Sequence, residues 1–505
     1  MITEQPRTRK QASSQEQRGA YKIVTWGCQM NVEDTDQMAL YLAELGLREA
    51  ERLEDADVVL LNTCSVRRKP EDKAFSLLGE LRKLKESRPE TIIGVCGCMA
   101  QLRADEIRRR APHVDFIVGT AQISQIPGLV RETRQRRRFQ KRLELPPRKG
   151  ATVTDLPSRF DLGARPDVNR QSQTVNRSSP VASRQSPKIK AFVSIQYGCD
   201  KFCAFCIVPT TRGRERSRPT LEILEEVRAL ADRGVKEVML LGQTVNSYGK
   251  NLLEGKVPFA RLLWKIAEIE GIERIRYISP YPRDYRDDLI AAHRDCPKIM
   301  PHVHLPLQSG NDTVLKEMRR VYTVESFKEI YWRLREIPGM AITTDIIVGF
   351  PGETEEQFQD TLSVVSDLRF DGAFMFAYST RPGTPAGERD DQVPRDDKKR
   401  RLSELIALQN GITCEINESQ VGRVFEVLVE GPSEKQPPSQ YVRGRGEGER
   451  HTTTEQRKTL WKGLTRHGKT MHFPRSGGVS AKLAIGNRIE ARAEEAHLWG
   501  FYGKH

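Results

Sequence analysis

Cys199, Cys203 and Cys206 stand in the run Tyr197-Gly198-Cys199-Asp200-Lys201-Phe202-Cys203-Ala204-Phe205-Cys206. Three thiolates at CxxxCxxC spacing can grip three irons of a four-iron cluster and leave the fourth open to a small molecule. Structural zinc normally takes four ligands, and no fourth Cys or His follows Cys206 closely, so the spacing favours a cluster. An open iron implies chemistry rather than electron storage. A second set of thiols follows a different pattern. Cys28 comes after Lys22-Ile23-Val24-Thr25-Trp26, Cys64 after Asp57-Val58-Val59-Leu60-Leu61-Asn62, and Cys98 after Thr91-Ile92-Ile93-Gly94-Val95. Each is just past a buried-looking strand, and three thiolates at one sheet edge would make a second incomplete cluster site. The alternative is three unrelated core thiols, since free Cys often packs as a small hydrophobe.

The elements that must position these residues are legible in the periodicity. Helical patterns at about 33–45, 70–86 and 103–111 separate the amino-terminal strands, which should therefore be parallel with their ends converging. From about 188 the chain alternates strand candidates (191–196, 236–241, 274–279, 302–307, 341–347 and 372–377) with helical patterns (220–233, 257–270, 284–294, 323–336, 353–368 and 394–416). Six such units imply a partial (βα) barrel, with the CxxxCxxC loop at the carboxyl end of its first strand, where α/β proteins keep their active sites. After Asn417 the pattern turns to β at 423–429, 444–448, 471–473 and 487–491, as for a small barrel.

With both thiol sets in view, Gly27-Cys28-Gln29-Met30-Asn31, Asn62-Thr63-Cys64-Ser65-Val66-Arg67, Gly97-Cys98-Met99-Ala100-Gln101 and the central triplet resemble the methylthiotransferase family of radical S-adenosylmethionine (SAM) enzymes. The likeness is greatest to the members that act on isopentenylated adenosine in tRNA. It covers roughly residues 20–133 and 188–505. It implies an α/β fold: an amino-terminal parallel α/β domain (20–133), a basic linker (134–187), a partial (βα)6 radical SAM core (188–416) and a carboxy-terminal OB-like barrel of the TRAM type (417–505) that holds tRNA.

The same resemblance implies two [4Fe-4S] clusters, one on Cys28, Cys64 and Cys98 and one on Cys199, Cys203 and Cys206. SAM bound at the second would yield a 5′-deoxyadenosyl radical, sulfur would come from the first, and a second SAM would methylate it. The target is carbon two of the adenine next to the anticodon, splayed out of its loop. Siblings in the family act on threonylcarbamoyl-adenosine in tRNA or on a ribosomal protein, and a reading of a different class is a non-catalytic iron–sulfur or zinc RNA-binding protein. The resemblance implies a monomer supplied by an electron donor such as flavodoxin.

Candidate SAM contacts are Gln243 and Asn246 after the second barrel strand, Gln308 after the fourth, Arg320, whose fork suits a carboxylate, and Asp345 and Gly349 on and after the fifth. Taken alone, the strand-end glycines read as plain turns, and Arg320 reads equally as a surface phosphate contact. His302 and His304 read as barrel-core histidines. The chain departs from the family at Ser279-Pro280-Tyr281-Pro282, where Ser-His-Pro is usual, and at Arg319, where Asn is common. Cys96 should point into the sheet, and Cys296 and Cys414 read as inert thiols.

Composition sets limits. The 505 residues suffice for about three domains. Nine cysteines in so long a chain are no disulfide framework, and exposed cluster thiolates need a reducing compartment such as the cytoplasm. The leader is polar and no apolar stretch approaches the ~20 residues that span a bilayer, so no signal peptide and no membrane are expected. The net charge of +14 is uneven: residues 134–190 hold fifteen Lys and Arg against four Asp and Glu. That segment reads as a disordered basic linker, either neutralising RNA phosphates or serving as a solvated spacer. Residues 451–470 read as an insertion, with Arg457, Lys458, Lys462 and Arg466 as phosphate contacts or solvated charges.

Overall fold

Val58-Val59-Leu60-Leu61 and Ile92-Ile93 are apolar without alternation, the pattern of strands covered on both faces. In the computed structural model, which describes residues 19–65, 68–143, 151–153, 189–252, 255–433, 460–474 and 483–505, both runs are fully buried strands. The chain divides into two compact units, one of residues 1–183 with Thr210–Arg212, the other of residues 184–209 with 213–505.

In the first unit β1 (Ala20–Trp26), β2 (Arg48–Glu49), β3 (Val58–Thr63), β4 (Ile92–Gly97), β5 (Phe116–Val118) and β6 (Ala151–Val153) form one parallel sheet in the order β2-β1-β3-β4-β5-β6. Helices α1 (Gln29–Glu44), α2 (Arg68–Ser87), α3 (Cys98–Leu102), α4 (Ala104–Arg110) and α5 (Ile126–Leu143) connect and cover it. Alternate strand residues feed two cores: Val59, Leu61, Ile93 and Val95 pack with Leu78, Leu81 and Ile107, while Val58, Leu60, Ile92 and Cys96 pack with Met38, Leu42 and Val130. Register fixes the functional edge, since Trp26 pairs with Thr63 and Thr63 with Gly97. The three central strands therefore end level with one another.

The first part of the segment expected to be a disordered linker from residue 134 is ordered structure. Helix α5 runs through Leu143 and β6 adds a strand at the sheet edge. Arg is a good helix former, and Arg137 is used internally: it pairs with Asp115 and donates to the carbonyls of Pro89 (2.8 Å) and Thr91 (3.1 Å). Arg136 lies 3.9 Å from Glu132 one turn earlier. These two charges belong to the fold, whereas 144–150 and 154–187 lie outside the described residues.

In the second unit β7 (Lys190–Ser194) is followed by a short hairpin of β8 (Gln196–Tyr197) and β9 (Arg216–Ser217); in sequence between these strands lies α6 (Val208–Arg212), whose last three residues belong to the first unit. Then come β10 (Glu237–Leu241), β11 (Arg274–Tyr277), β12 (His302–His304), β13 (Ala341–Val348) and β14 (Gly372–Ala377). Six parallel strands stand in two sheets, β11-β10-β7 and β12-β13-β14. Ile275 joins them, donating to Lys298 O at 2.8 Å and accepting from Met300 N at 3.0 Å. Among the described residues β7 and β14 do not pair, so the arc is an open (βα)6 barrel. The helices α7 (Thr220–Asp232), α8 (Phe259–Ala267), α9 (Asp287–Asp295), α10 (Asp312–Glu317), α11 (Val324–Arg335), α12 (Glu355–Leu368) and α13 (Arg395–Glu418) fall where the periodicity predicts, with α10 additional.

The carboxy-terminal segment closes into a five-stranded barrel, β15 (Val424–Pro432), β16 (Leu460–Thr465), β17 (Thr470–Pro474), β19 (Gly500–Lys504) and β18 (Arg488–His497), in that spatial order. The expected insertion at 451–470 is thus corrected in its second half: β16 is an integral strand paired on both edges, with β15 and β17. Lys462 lies in that ladder, and Arg466 donates to the carbonyl of Pro297. Residues 451–459, with Arg457 and Lys458, and the strand expected at 444–448 lie outside the described residues. Two buried arginines of β11 join this barrel to the arc: Arg274 donates to Leu464 O (2.7 Å) and Arg276 to Thr465 O (2.8 Å), both beside Glu237.

Candidate functional site: two triads of thiols

In the first unit the level strand ends bring Cys28, Cys64 and Cys98 together. Cys28 hydrogen-bonds to Cys64, and Cys98 is close enough to Cys28 for their charges to interact. Two fully buried asparagines lock the arrangement. Asn31 Oδ1 accepts from Cys28 N at 3.3 Å, and Asn31 Nδ2 donates to Asn62 Oδ1 at 3.1 Å. Asn62 Nδ2 donates in return to Asn31 O at 2.7 Å and to Thr35 Oγ1 at 2.9 Å. The Asn of each cysteine motif thus holds the other motif. Gly97 has φ +91°, and a Cβ there would stand 2.4 Å from Thr63 O and 2.6 Å from Asn62 Oδ1. Gly97→Ala is therefore expected to destabilise this unit by more than the roughly 1–3 kcal/mol of backbone strain in this glycine-only region alone, read as an earlier unfolding midpoint in urea.

Sequence reasoning missed Arg212 and Asp34, which also belong to this unit. Arg212 Nη2 lies 2.8 Å from Asp34 Oδ2, both side chains almost wholly buried, and the guanidinium is close enough to Cys98 and Cys28 for its charge to act on both thiols. Removing one partner of so buried a pair costs about 3–5 kcal/mol. The Cys28 thiol is lowered to about 6 by the hydrogen bond from Cys64, with Arg212 assisting. Burial instead raises Cys98. Cys28 becomes thiolate as pH rises through its lowered value, so in metal-free protein its alkylation by iodoacetamide is expected to reach half-maximal rate at a clearly lower pH than an ordinary thiol. A midpoint near the ordinary thiol value would refute this local electrostatics.

In the second unit the CxxxCxxC loop follows β8. Gly198 has φ +70°, and a Cβ there would meet Arg214 O at 2.1 Å. Cys199 N donates to Gly213 O (3.1 Å), Ala204 N to Met318 O (3.0 Å) and Cys206 N to Cys203 O (3.1 Å). The three thiols interact electrostatically, and burial pushes Cys199 up to about 12 and Cys206 up to about 11. Thiolate ligation would have to come with a positive partner such as iron.

The expected SAM contacts divide into two groups. Arg320 Nη1 reaches Cys203 Sγ at 3.4 Å and its Nε donates to Tyr322 Oη at 2.9 Å, while its guanidinium lies over the ring of Tyr281, 4.5 Å from the centroid. Tyr281, at the chain's departure from Ser-His-Pro, is held by Asn246, which donates to Tyr281 O (2.9 Å) and accepts from its N (2.7 Å). Asn246 is thus committed to placing an aromatic ring. Gln243 is half-buried in the bend just before this turn. The second group gathers on β13: Gln308, with φ +74°, donates from its main chain to Asp345 O at 2.8 Å and accepts from Ile347 N at 2.9 Å. Gly349 N donates to Glu353, itself paired with Arg401 at 2.9 Å. His304 differs from an inert core histidine, since its Nε2 lies 3.2 Å from Asp345 Oδ2 and its ring packs edge-on against the half-exposed Phe374.

Among the described residues no group of three or more His, Cys, Asp or Glu is arranged around a single metal ion. Cluster thiolates bind different irons and need not surround one point, so both triads suit iron–sulfur clusters by donor type and number.

An open parallel strand–helix arc with a three-cysteine loop after its first strands is the layout of a radical SAM protein. Accordingly the Radical SAM superfamily matches residues 193–365 and the family described as Uncharacterized protein family UPF0004 matches 20–119. The fold is shared with the radical S-adenosylmethionine methyltransferase TsrM from Kitasatospora setae at TM-score 0.51 and 14% identity, over 83% of this chain and 79% of that one. The tRNA-2-methylthio-N(6)-dimethylallyladenosine synthase of Moorella thermoacetica is 40% identical over 96% of this chain and 98% of its own length. That of Acetivibrio thermocellus is 42% identical over 96% and 90%. Caldicellulosiruptor saccharolyticus has one 44% identical over 82% and 83%. The chain belongs to this family of tRNA-2-methylthio-N(6)-dimethylallyladenosine synthases.

Proposed function

We propose that this chain inserts a methylthio group at carbon two of isopentenylated adenosine next to the anticodon of tRNA, consuming two SAM per product. The observation that carries the reading is the level placement of Cys28, Cys64 and Cys98 at three adjacent strand ends, in a chain that also holds the CxxxCxxC loop. The first triad would hold one [4Fe-4S] cluster, and Cys199, Cys203 and Cys206 the other. The chemistry these groups supply when bound is reductive cleavage of SAM to a hydrogen-abstracting 5′-deoxyadenosyl radical, delivery of sulfur, and methylation of that sulfur by a second SAM.

This chain's own residues would orient the reactants. Arg320, beside Cys203, would meet the SAM carboxylate with a forked pair of donors. Gln243 would line the amino-acid end, where Asn246 would act through the Tyr281 ring that it places, while Gln308, Asp345 and Gly349 would line the nucleoside end. In the carboxy-terminal barrel Trp499 is 56% exposed at the turn between β18 and β19, which suits stacking on an unpaired base in a TRAM-like role. The target base would be extruded from its loop to reach the site. A reductant such as flavodoxin, a monomeric state and a cytoplasmic location complete the proposal; among the described residues no helix is long and apolar enough to cross a membrane.

The siblings that act on threonylcarbamoyl-adenosine or a ribosomal protein would use the same thiols, so the substrate is best tested directly. In tRNA nucleosides from a strain lacking this gene, mass spectrometry is expected to show isopentenyladenosine without its methylthio group, restored by complementation. Loss from threonylcarbamoyl-adenosine instead would reassign the substrate.

A further inference from the structure

Arg212 is six residues beyond Cys206 in sequence, yet it lies within the first unit, 5% exposed, against the amino-terminal thiols. Its Nη2 is fixed by Asp34 Oδ2 at 2.8 Å, and its charge acts on both Cys98 and Cys28. Asp34 stands on α1, the helix that Cys28 precedes, and is itself 2% exposed. A buried ion pair adds little stability over well-packed apolar residues, so stability does not explain why a guanidinium should be buried among thiols. Charge does. Net charge and hydrogen bonds to sulfur are the terms that set the reduction potential of an iron–sulfur cluster.

We infer that Arg212, held by Asp34, is a positioning residue for the amino-terminal thiol triad, placing its charge beside the Cys98 sulfur and raising the reduction potential of the cluster bound there. The inference rests on the reading that Cys28, Cys64 and Cys98 hold a cluster. Added positive charge stabilises the more negative, reduced state, so the two members of the ion pair must act with opposite sign. A purely structural pair would not behave this way, because loss of either partner would simply loosen the site.

The test is an EPR-monitored redox titration of the full-length chain with Cys199, Cys203 and Cys206 replaced by alanine, so that only the amino-terminal cluster reports. Arg212→Gln is expected to lower the midpoint by about 59 mV or more, a tenfold change in the one-electron equilibrium. Asp34→Asn is expected to raise it, and Arg212→Lys to stay near the parent. Equal potentials in all variants at full iron content, or shifts of the same sign for Arg212→Gln and Asp34→Asn, would overturn the inference. Should Arg212→Gln fail to fold, an Asp34→Asn midpoint at or below the parent's overturns it and a raised one supports it. A parent chain that binds no iron at this triad would instead overturn the cluster assignment itself.

Discussion

Replacing Cys203 with alanine is expected to abolish reductive SAM cleavage, lowering 5′-deoxyadenosine formation by at least about a hundredfold. Three thiolates are the minimum that leaves one iron open while holding the other three, and even changes to outer partners of metal ligands cost 10–100-fold. Cys203 also has the most direct tie to the rest of the site, since Arg320 Nη1 lies 3.4 Å from its sulfur. The substitution therefore removes an iron ligand and the anchor of the side chain assigned to the SAM carboxylate. The loop should keep its fold, because its main-chain bonds through Cys199, Ala204 and Cys206 do not use the Cys203 sulfur. Chromatography of the nucleoside products under a chemical reductant measures the effect. Formation of 5′-deoxyadenosine near the parent rate would refute the assignment.

The second large effect is expected at Cys64, and it should be selective. Cys64→Ala removes one thiol of the amino-terminal triad and the hydrogen bond that most strongly lowers Cys28, so methylthio insertion should fall below detection. Cleavage of SAM should persist within a fewfold of the parent, because Cys64 belongs to the first compact unit and the CxxxCxxC loop to the second. Counting 5′-deoxyadenosine and methylthiolated nucleoside in one reaction separates the two activities. Product formed at the parent rate would mean that sulfur comes from elsewhere.

The thiol triads were legible in the sequence for a simple physical reason. Fully buried parallel strands such as β3 and β4 are written as nearly unbroken apolar runs, the half-buried β1 beside them is also rich in apolar residues, and a cysteine just past each of the three must come to one edge. The sequence could not show register, yet it is the pairing of Trp26 with Thr63 and Thr63 with Gly97 that makes the three ends level. Charge was the weaker guide. Arg137 read as part of a solvated linker because its acceptors, Asp115 and the carbonyls of Pro89 and Thr91, lie 22 to 48 residues away. β16 read as part of an insertion because its pairing on both edges is likewise long-range. Arg212 and Asp34 stayed invisible for the same reason: 178 residues separate them, and neither sits in a motif that announces a partner. Asn246 was singled out by its position in a strand-end loop, but its bond to Tyr281 depends on a residue where this chain leaves the family pattern.

Metal analysis after anaerobic reconstitution tests the central claim most directly, that two separate thiol triads each hold an iron–sulfur cluster. The expected result is about eight irons per chain, falling to about four when either Cys28, Cys64 and Cys98 or Cys199, Cys203 and Cys206 are replaced by alanine. Stoichiometric zinc in place of iron, or a parent chain whose iron content is unchanged by removing the amino-terminal triad, would contradict it.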